Sequence, residues 1–379
     1  MSLQQPAPRF LSLDVFRGLA VCLMIVVNTA GPGARPYPIL VHARWFGFTA
    51  ADWVFPTFLF AVGCAMSFAF RKPTTEAAFA LKVLRRTALI FLAGFLMYWF
   101  PFAHRTGEGG WALNPFADTR VMGVLQRIAL CYGLAAFAVR HLKPRQLLVL
   151  CVVLLLGYWG LLVGFGDPAD PLSKLGNAGT RLDLWVFGQN HLYRRDGGFD
   201  PEGLLGTLPA TVNVIAGYLA ARFLTEAPDR RRALVRMALA GVILALVALA
   251  WSPLFPIAKK LWTSSFVLLT TGIDLVVLAA LAAALEGRAQ TPATRVSVRF
   301  FQVFGRNPLV IYLFSELFVV VLGQLQVAPG EGVYDWIGVN LFQTIAPGAL
   351  GSLICAIAYM LVCWLVGYVL DRRGIVIRL

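Results

Sequence analysis

Charge is scarce in this sequence. Of its 379 residues only 14% are charged, whereas 59% are hydrophobic, and the mean hydropathy is +0.72. Soluble globular domains are about 45–50% apolar and about 25% charged, so the composition excludes an ordinary soluble enzyme. It also excludes a disordered chain, which would have low hydrophobicity. The sequence therefore predicts an integral membrane protein.

The sequence also lacks the residue clusters that form disulfide frameworks or hold metals. Its six cysteines all fall inside apolar runs, and none lies in a CxxC motif. The four histidines, at 42, 104, 141 and 191, are widely separated. We therefore expect no metal site. The net charge of +14 belongs, in a membrane protein, mostly to cytoplasmic loops, so no nucleic-acid partner is expected.

Ten apolar segments are each long enough to cross a bilayer, for which a helix needs about 20 residues. They cover residues 12–30, 50–70, 81–101, 121–140, 146–165, 204–224, 233–251, 261–285, 303–323 and 348–370. The predicted fold class is all-α, a polytopic membrane bundle of about ten (10–11) helices. It forms one transmembrane domain over 1–379 with no separate soluble domain. The stretch 324–347 has room for a re-entrant or surface helix.

Loop composition orients the bundle. With the N-terminus inside, the cytoplasmic connections carry roughly twice as many Lys and Arg as the outer ones, which places both termini in the cytoplasm. The outer connections at 31–48, 102–119, 166–203 and 324–347 are longer. Long ordered loops on one face commonly carry function, so we expect the substrate site on the outer side.

Ionisable residues inside the apolar segments are few, and each is a functional hypothesis because burial of charge in a membrane is costly. They are Asp14, Arg17, Asp52, Arg127, Asp274, Arg306 and Glu316. Asp14 and Arg17 lie three residues apart on the first helix and can pair. Asn28 lies eleven residues further, on the same face. The alternative is an interfacial ion pair followed by a helix-ending asparagine.

His42 lies in the outer loop before the second segment. Thr49 can cap that helix, and Asp52 falls in its first turn, where the helix dipole favours a carboxylate. A neutral imidazole in such surroundings can accept a proton near pH 7. The alternatives are an ordinary surface histidine and an aspartate that only caps the helix.

Several motifs carry a family resemblance. The chain reads RFLSLDVFRG from Arg9, VNTAG from Val27 and HARWFGFTAADWVFPTFLFAVG from His42. Later stretches read GVLQRIAL (123–130), DPEGLLGTLPA (200–210), KKLWTSSFVLLTTGID (259–274) and GRNPLVIY (305–312). In this order they resemble the heparan-α-glucosaminide N-acetyltransferase family, of the transmembrane acyltransferase class.

The resemblance implies an acetyltransferase of the bacterial inner membrane. It would move acetyl from cytoplasmic acetyl-CoA to the amino group of glucosamine or a related amino sugar outside. The family's active-site histidine corresponds to His42, and its Asn, Asp and Arg correspond to Asn28, Asp52 and Arg127. His42 would act as a base or carry the acetyl group, Asn28 would donate to the thioester oxygen, and Asp52 would orient His42. The assembly state, including a homodimer, stays open.

Further residues are predicted along the acetyl-CoA path and in the sugar pocket. The acetyl-CoA candidates are Arg17, Asp14, Arg127, Arg85, Arg86, Ser264 and Ser265, and the sugar candidates are Trp45, Trp262 and Asp183. As alternatives, helical hydroxyls can bond to their own backbone, and cytoplasmic arginines can follow the positive-inside rule alone.

Two other functions share the same features. A secondary transporter for a sugar would also have polar residues near the midplane, although the sequence shows no matching halves. An O-acetyltransferase of an envelope polysaccharide would keep the same chemistry with a hydroxyl acceptor.

Overall fold

The computed structural model describes residues 10–71, 73–106, 110–286 and 291–377. The long helices are α1 (Leu11–Asn28), α2 (Ala50–Ala69), α3 (Glu76–Trp99), α4 (Val124–His141), α5 (Pro144–Phe165), α6 (Ala178–Phe187), α7 (Thr207–Glu226), α8 (Arg230–Trp251), α9 (Ser264–Leu285), α10 (Pro292–Arg306) and α11 (Pro308–Gln324). They are followed by α12 (Val333–Ile337), a π-helical turn (Gly338–Phe342), α13 (Gln343–Ile345) and α14 (Ala349–Arg372). Short 3₁₀ turns cover Pro38–Leu40, Phe116–Asp118, Gln189–His191 and Arg194–Asp196.

The strands in the described residues form two small hairpins. Strands β1 (Ala103–Arg105) and β2 (Trp111–Leu113) pair antiparallel, as do β3 (Gln326–Ala328) and β4 (Glu331–Gly332). The predicted all-α class is therefore confirmed.

Seven helices of the described chain are long and apolar enough to cross a membrane: α1, α2, α5, α7, α8, α9 and α14. Together α10 and α11 would make an eighth span. The predicted segments 81–101 and 121–140 also form helices, α3 and α4. These two are less apolar, because α3 carries Lys82, Arg85 and Arg86 and α4 carries Arg127 and Arg140. A count of ten spans stays a prediction.

The predicted span 303–323 is not one straight helix. Helix α10 ends at Arg306, α11 begins at Pro308, and the two axes differ by 79°. Proline lacks an N–H and disfavours a helical residue before it, which explains the break at Asn307. The stretch 324–347, where a re-entrant or surface helix had room, holds the β3–β4 hairpin and the short helices α12 and α13.

The core of the bundle lies around α2 and α7, which are mostly buried, whereas α5 and α8 expose most of their apolar surface. Helices α2 and α7 cross at a glycine on each. A side chain at Gly63 would overlap the carbonyl oxygen of Val214, and one at Gly217 would overlap that of Phe60. Small residues allow helix backbones to approach closely in membranes, so these glycines set the distance between the two helices.

Both ends of the described chain lie on the same face of the bundle. Near the start of α1, the backbone of Asp14 packs against Gly305 at the end of α10. Arg306, next in sequence, binds Asp371 at the end of α14. Ser12 accordingly meets Glu286, which follows α9. The N-terminal end of α9 therefore lies at the opposite face, with the loop that carries His42.

Candidate active site

Asp52 performs two tasks at the start of α2. Its Oδ2 atom accepts the backbone N–H groups of Thr49 (3.0 Å) and Ala43 (3.2 Å), so the carboxylate caps the helix. Its Oδ1 atom lies 2.9 Å from Nδ1 of His42. Asp52 is completely buried, while the His42 side chain is 37% exposed. Asp52 can therefore cap α2 with Oδ2 and orient His42 with Oδ1 at the same time.

The contact with Asp52 determines the tautomer of His42. A carboxylate only accepts hydrogen bonds, so Nδ1 carries the proton and Nε2 presents a lone pair. The ammonium of Lys259 lies 3.0 Å from Nε2. Burial, assisted by this ammonium, lowers the pKa of His42 below its ordinary value, although the Asp52 carboxylate opposes the shift. Neutral imidazole is the form that can accept a proton.

Lys259 is the site residue that sequence reasoning missed. It lies in the loop between α8 and α9, and it entered the sequence analysis only within the stretch KKLWTSSFVLLTTGID (259–274). Burial lowers its pKa, while Glu202 and Asp52 oppose the shift. The one available signal was the pair Lys259–Lys260, two adjacent cations on the side where the positive-inside rule predicts few.

A cluster of charged residues lies near His42, in the loops that precede α4 and α7. Arg120 binds both oxygens of Asp200 (2.9 and 2.5 Å) and also Glu202 (2.6 Å). Its guanidinium lies over the rings of Tyr98 and Tyr193. Although burial opposes the charge of Glu202, Arg120 and Lys259 hold the pKa of this carboxyl below its ordinary value. Arg120, Asp200 and Glu202 were not among the predicted site residues.

Arg127, an acetyl-CoA candidate of the sequence analysis, binds the backbone of a neighbouring loop. Its guanidinium donates to the carbonyl oxygens of Pro201 (2.9 Å) and Gly203 (2.7 Å). It also lies over the Trp262 ring, 5.0 Å from the ring centre. Arg127 is only 1% exposed. It therefore fastens the turn that contains Glu202 to α4.

Trp262 and the two predicted serines lie in the protein interior. Trp262 is completely buried, and its indole N–H donates to Asn213 (3.2 Å), so it presents no exposed ring face for a sugar. Ser264 donates to the carbonyl of Leu155 (2.7 Å), and Ser265 donates to that of Phe255 (2.6 Å). Short hydroxyls readily bond to nearby backbone, which here consumes the groups predicted to line an acetyl-CoA path.

The polar residues of α1 lie at its two ends. Asp14 and Arg17 pair at 3.0 Å, each about a quarter exposed. At the other end, Asn28 is exposed and donates to Glu316 of α11 (3.0 Å). Among the described residues, no hydrogen bond joins Asn28 to His42 or Asp52. The structure thus pairs His42 with Asp52, as predicted, but places the Asn28 amide on a carboxylate.

The other predicted residues are spread over the molecule. Trp45 donates to the carbonyl of Leu172 (3.0 Å) and packs edge-on against Phe199. On α3, Arg85 is exposed, and Arg86 lies over the Tyr132 ring. These two arginines are remote in sequence from the loops that hold His42 and Lys259.

Asp183 lies in α6, beneath the turn that Arg127 fastens. It accepts the Leu204 N–H (2.8 Å), and burial raises its pKa to about 7. The carboxyl lines a small pocket together with Arg127, Asp200 and Lys260. This pocket lies behind the turn rather than at the exposed side of His42.

The chain is also similar to known proteins. The sequence profile of a family described as an acyltransferase domain matches residues 10–368. The human protein named heparan-alpha-glucosaminide N-acetyltransferase is 25% identical over 369 residues, which cover 82% of this chain and 53% of the relative. The mouse protein of the same name is 26% identical over 319 residues, covering 69% and 47%. The chain therefore spans about half the length of the curated relatives it matches.

Proposed function

Because the chain belongs to the acyltransferase family whose profile covers residues 10–368, we propose that it transfers acetyl from acetyl-CoA to the amino group of glucosamine or a related amino sugar. The observation that carries this proposal is the group of three residues Asp52, His42 and Lys259. Asp52 Oδ1 lies 2.9 Å from Nδ1 of the imidazole, and the Lys259 ammonium lies 3.0 Å from Nε2 and 3.4 Å from Nδ1. This arrangement provides an oriented base and a cation at one half-exposed point.

The chemistry follows from the tautomer. Nε2 of His42 takes a proton from the acceptor ammonium, and the freed amine forms a C–N bond to the thioester carbon. The carbonyl electron pair moves to oxygen and then returns, which breaks the C–S bond. His42 gives its proton to the departing thiolate, and the new amide nitrogen releases its surplus proton to water. Asp52 stabilises the imidazolium between these steps, the part that the third group plays in catalytic triads.

We place the donor entry at the opposite face, near the ends of the chain. Arg86 supports this role, because its buried Nε atom has no hydrogen-bond partner among the described residues. Asp14, Arg17 and Arg85 stay candidates for the same path. Ser264, Ser265 and Arg127 contribute instead by holding the site together, since the two hydroxyls and both terminal nitrogens of Arg127 already bond to backbone carbonyls. Asn28 is held by Glu316 through its amide nitrogen, which has a second N–H for a thioester oxygen.

We place the acceptor beside Trp45, whose half-buried ring borders the His42 loop. Aromatic faces and carboxylates are common partners of sugars, and Glu202 lies near both His42 and Lys259. Asp183 and Trp262 act behind this surface, because both are buried.

The acceptor experiment separates the candidate functions. Purified protein in detergent is incubated with isotopically labelled acetyl-CoA and with glucosamine, galactosamine or N-acetylglucosamine, and products are measured by mass spectrometry. We expect one added acetyl group on the two free amines and none on N-acetylglucosamine. Acetylation of N-acetylglucosamine would instead support a hydroxyl acceptor. Absence of any transfer, with sugar uptake by vesicles, would support a transporter.

Replacing Asp52 with asparagine should separate its two tasks. Asparagine still caps a helix, so the melting temperature should change little. The amide can present an N–H to the imidazole and favour the wrong tautomer, so kcat should fall by about 10²–10⁴-fold. The matched variant is Thr49→Val, which removes a hydroxyl from the same cap and should keep the native rate. An Asp52→Asn protein with native kcat would show that Asp52 only caps α2.

We propose that the face bearing His42 lies outside the inner membrane and that both chain ends lie in the cytoplasm. The charge asymmetry of the loops supports this orientation. Cysteines introduced at Arg44 and at Arg373, both exposed, should react with a membrane-impermeant maleimide from opposite sides of sealed vesicles. Modification of both from the same side would contradict the orientation.

A further inference from the structure

Lys259 is a half-buried cation whose direct side-chain contact is with a base instead of an acid. Its Nζ atom lies 3.0 Å from Nε2 and 3.4 Å from Nδ1 of His42. In the parts of the chain that the structure describes, no carboxylate oxygen forms an ion pair with it. Its neighbour Lys260 shows the usual arrangement, a 2.5 Å contact with Asp196. Two adjacent lysines therefore have opposite environments.

The position of Lys259 is fixed by its turn. The Trp262 N–H donates to the carbonyl of Lys259 (2.9 Å), and Thr263 closes the turn onto Ala258 through backbone and side chain. Gly47, in the His42 loop, donates to the carbonyl of Ile257 (2.8 Å). The turn is thus tied directly to the loop that holds the imidazole. The carboxylates of Glu202 and Asp52 act on Lys259 through space, but neither forms a direct ion pair with it, so an ion pair does not explain this placement.

We propose that Lys259 is a catalytic residue that stabilises the oxyanion of the tetrahedral intermediate, a role that rests on the proposed acetyl transfer. In the resting site the ammonium lies beside both nitrogens of the imidazole. The acceptor amine binds at the lone pair of Nε2, and Lys259 then donates to the thioester oxygen, which becomes negative when the C–N bond forms. When the C–S bond breaks, the carbonyl re-forms and the thiolate takes its proton from His42. Lys259 keeps its proton throughout.

Other donors near the site each have an acceptor already. Arg120 binds Asp200 and Glu202, and Asn28 binds Glu316. Arg127 binds two backbone carbonyls. An ammonium has three N–H groups, so Lys259 can turn from the imidazole to a new oxyanion without leaving a carboxylate unpaired. Preorganised donors of this kind usually contribute more to acyl-transfer catalysis than any other single effect.

The pH dependence of the reaction reports on the same contact. The charged groups facing His42 are Asp52 of α2, Lys259 of the turn and Glu202 of the opposite loop, with Arg127 and Lys260 acting on Lys259. Since its pKa lies below the ordinary 6.5, the acid limb of kcat/KM in the native protein should have its midpoint below 6.5. Loss of the Lys259 charge removes a repulsion and should move that limb to higher pH.

The test compares Lys259→Met, Lys259→Gln and Lys259→Arg with Lys260→Met in the full chain. For the two neutral variants we expect kcat for glucosamine acetylation to fall by about 10²–10³-fold, with KM changed only a few-fold and the acid limb shifted upward. Lys259→Arg keeps the charge and should keep the native acid limb with a smaller loss of rate. Lys260→Met removes a neighbouring cation and should cost far less.

Two results would overturn the role of Lys259. One is a neutral variant whose rate stays within about threefold of native. The other is a slow neutral variant whose acid limb has not moved and whose melting temperature has dropped, because a structural defect explains that pattern. If one neutral variant does not fold, the other supplies the comparison. Absence of transfer by the native protein would overturn the proposed function and this role together, whereas an active native protein with an equally active Lys259→Met would overturn this role alone.

Discussion

Replacement of His42 with alanine should lower kcat for acetyl transfer by about 10²–10⁴-fold, the usual contribution of a positioned base. The imidazole contacts both Asp52 and Lys259. Its loss therefore removes the base and leaves these two residues without the side chain that connects them. The side chain is 37% exposed, and little packing is lost. The rate should therefore fall much more than the stability. Rates come from the glucosamine assay and stability from thermal unfolding in detergent.

A second histidine supplies the control. His104 lies in strand β1, is exposed and hydrogen-bonds Asn114 (2.8 Å). His104→Ala removes the same side chain from another loop, and the rate should stay native. A His42→Ala protein that acetylates glucosamine at the native rate would end the assignment of the site.

The same histidine decides between two kinetic schemes. We propose that acetyl passes directly within a ternary complex, because an acetyl-imidazole on the half-exposed His42 would be open to hydrolysis by water. Initial-rate plots should then intersect, and acetyl-CoA alone should leave the mass of the peptide containing His42 unchanged. Parallel plots with an added acetyl on that peptide would support a covalent route.

Alanine at Gly63 or at Gly217 should destabilise the protein by about 3 kcal/mol or more, at the upper end of overpacking effects. Each added methyl would overlap a carbonyl oxygen of the facing helix, so α2 and α7 would have to separate. Asp52 lies at the start of α2, and the turn fastened by Arg127 directly precedes α7. Separation should therefore also reduce the rate. Thermal unfolding in detergent measures the first effect and the transfer assay the second.

The matched controls lie on α5, where Gly157 and Gly160 have no atom within 4 Å of an added methyl. Alanine there should be neutral or slightly stabilising, by up to about 1 kcal/mol, because glycine is a poor helix former. The double variant Gly63→Ala with Gly217→Ala should cost less than the sum, since one separation relieves both overlaps. Native melting temperatures for both single variants would refute the close crossing.

Local features of the site were predictable. His42 and Asp52 are ten residues apart, and one helix cap joins the loop to the first turn of α2. A carboxylate in that turn can reach only a few nearby residues, so their contact follows from short-range geometry. The break of α10 from α11 could equally have been inferred from Pro308, although the apolar pattern alone suggested one continuous span.

Distant features were not predictable. Lys259 is 217 residues from His42, and which side chain of an outer loop meets the imidazole depends on how the helices pack. Arg127 was predicted along the acetyl-CoA path, and its partners in the structure are carbonyl oxygens 74 and 76 residues away. Backbone acceptors have no sequence signature, since every residue carries one. Trp262 was predicted to face a sugar, but the structure buries it completely. Residue type alone does not show whether a tryptophan is buried.

The sequence by itself determined that this protein is an all-helical membrane protein and that His42 and Asp52 are the residues to examine. Composition controls partition into the bilayer, and helix geometry relates residues within a few turns. Only the tertiary structure decided that the Lys259 ammonium lies beside His42 and that Arg120 binds both Asp200 and Glu202. It also decided that the serines of α9 bond to backbone carbonyls. Those contacts join residues from separate helices and loops, and their distances are set by close packing at positions such as Gly63 and Gly217.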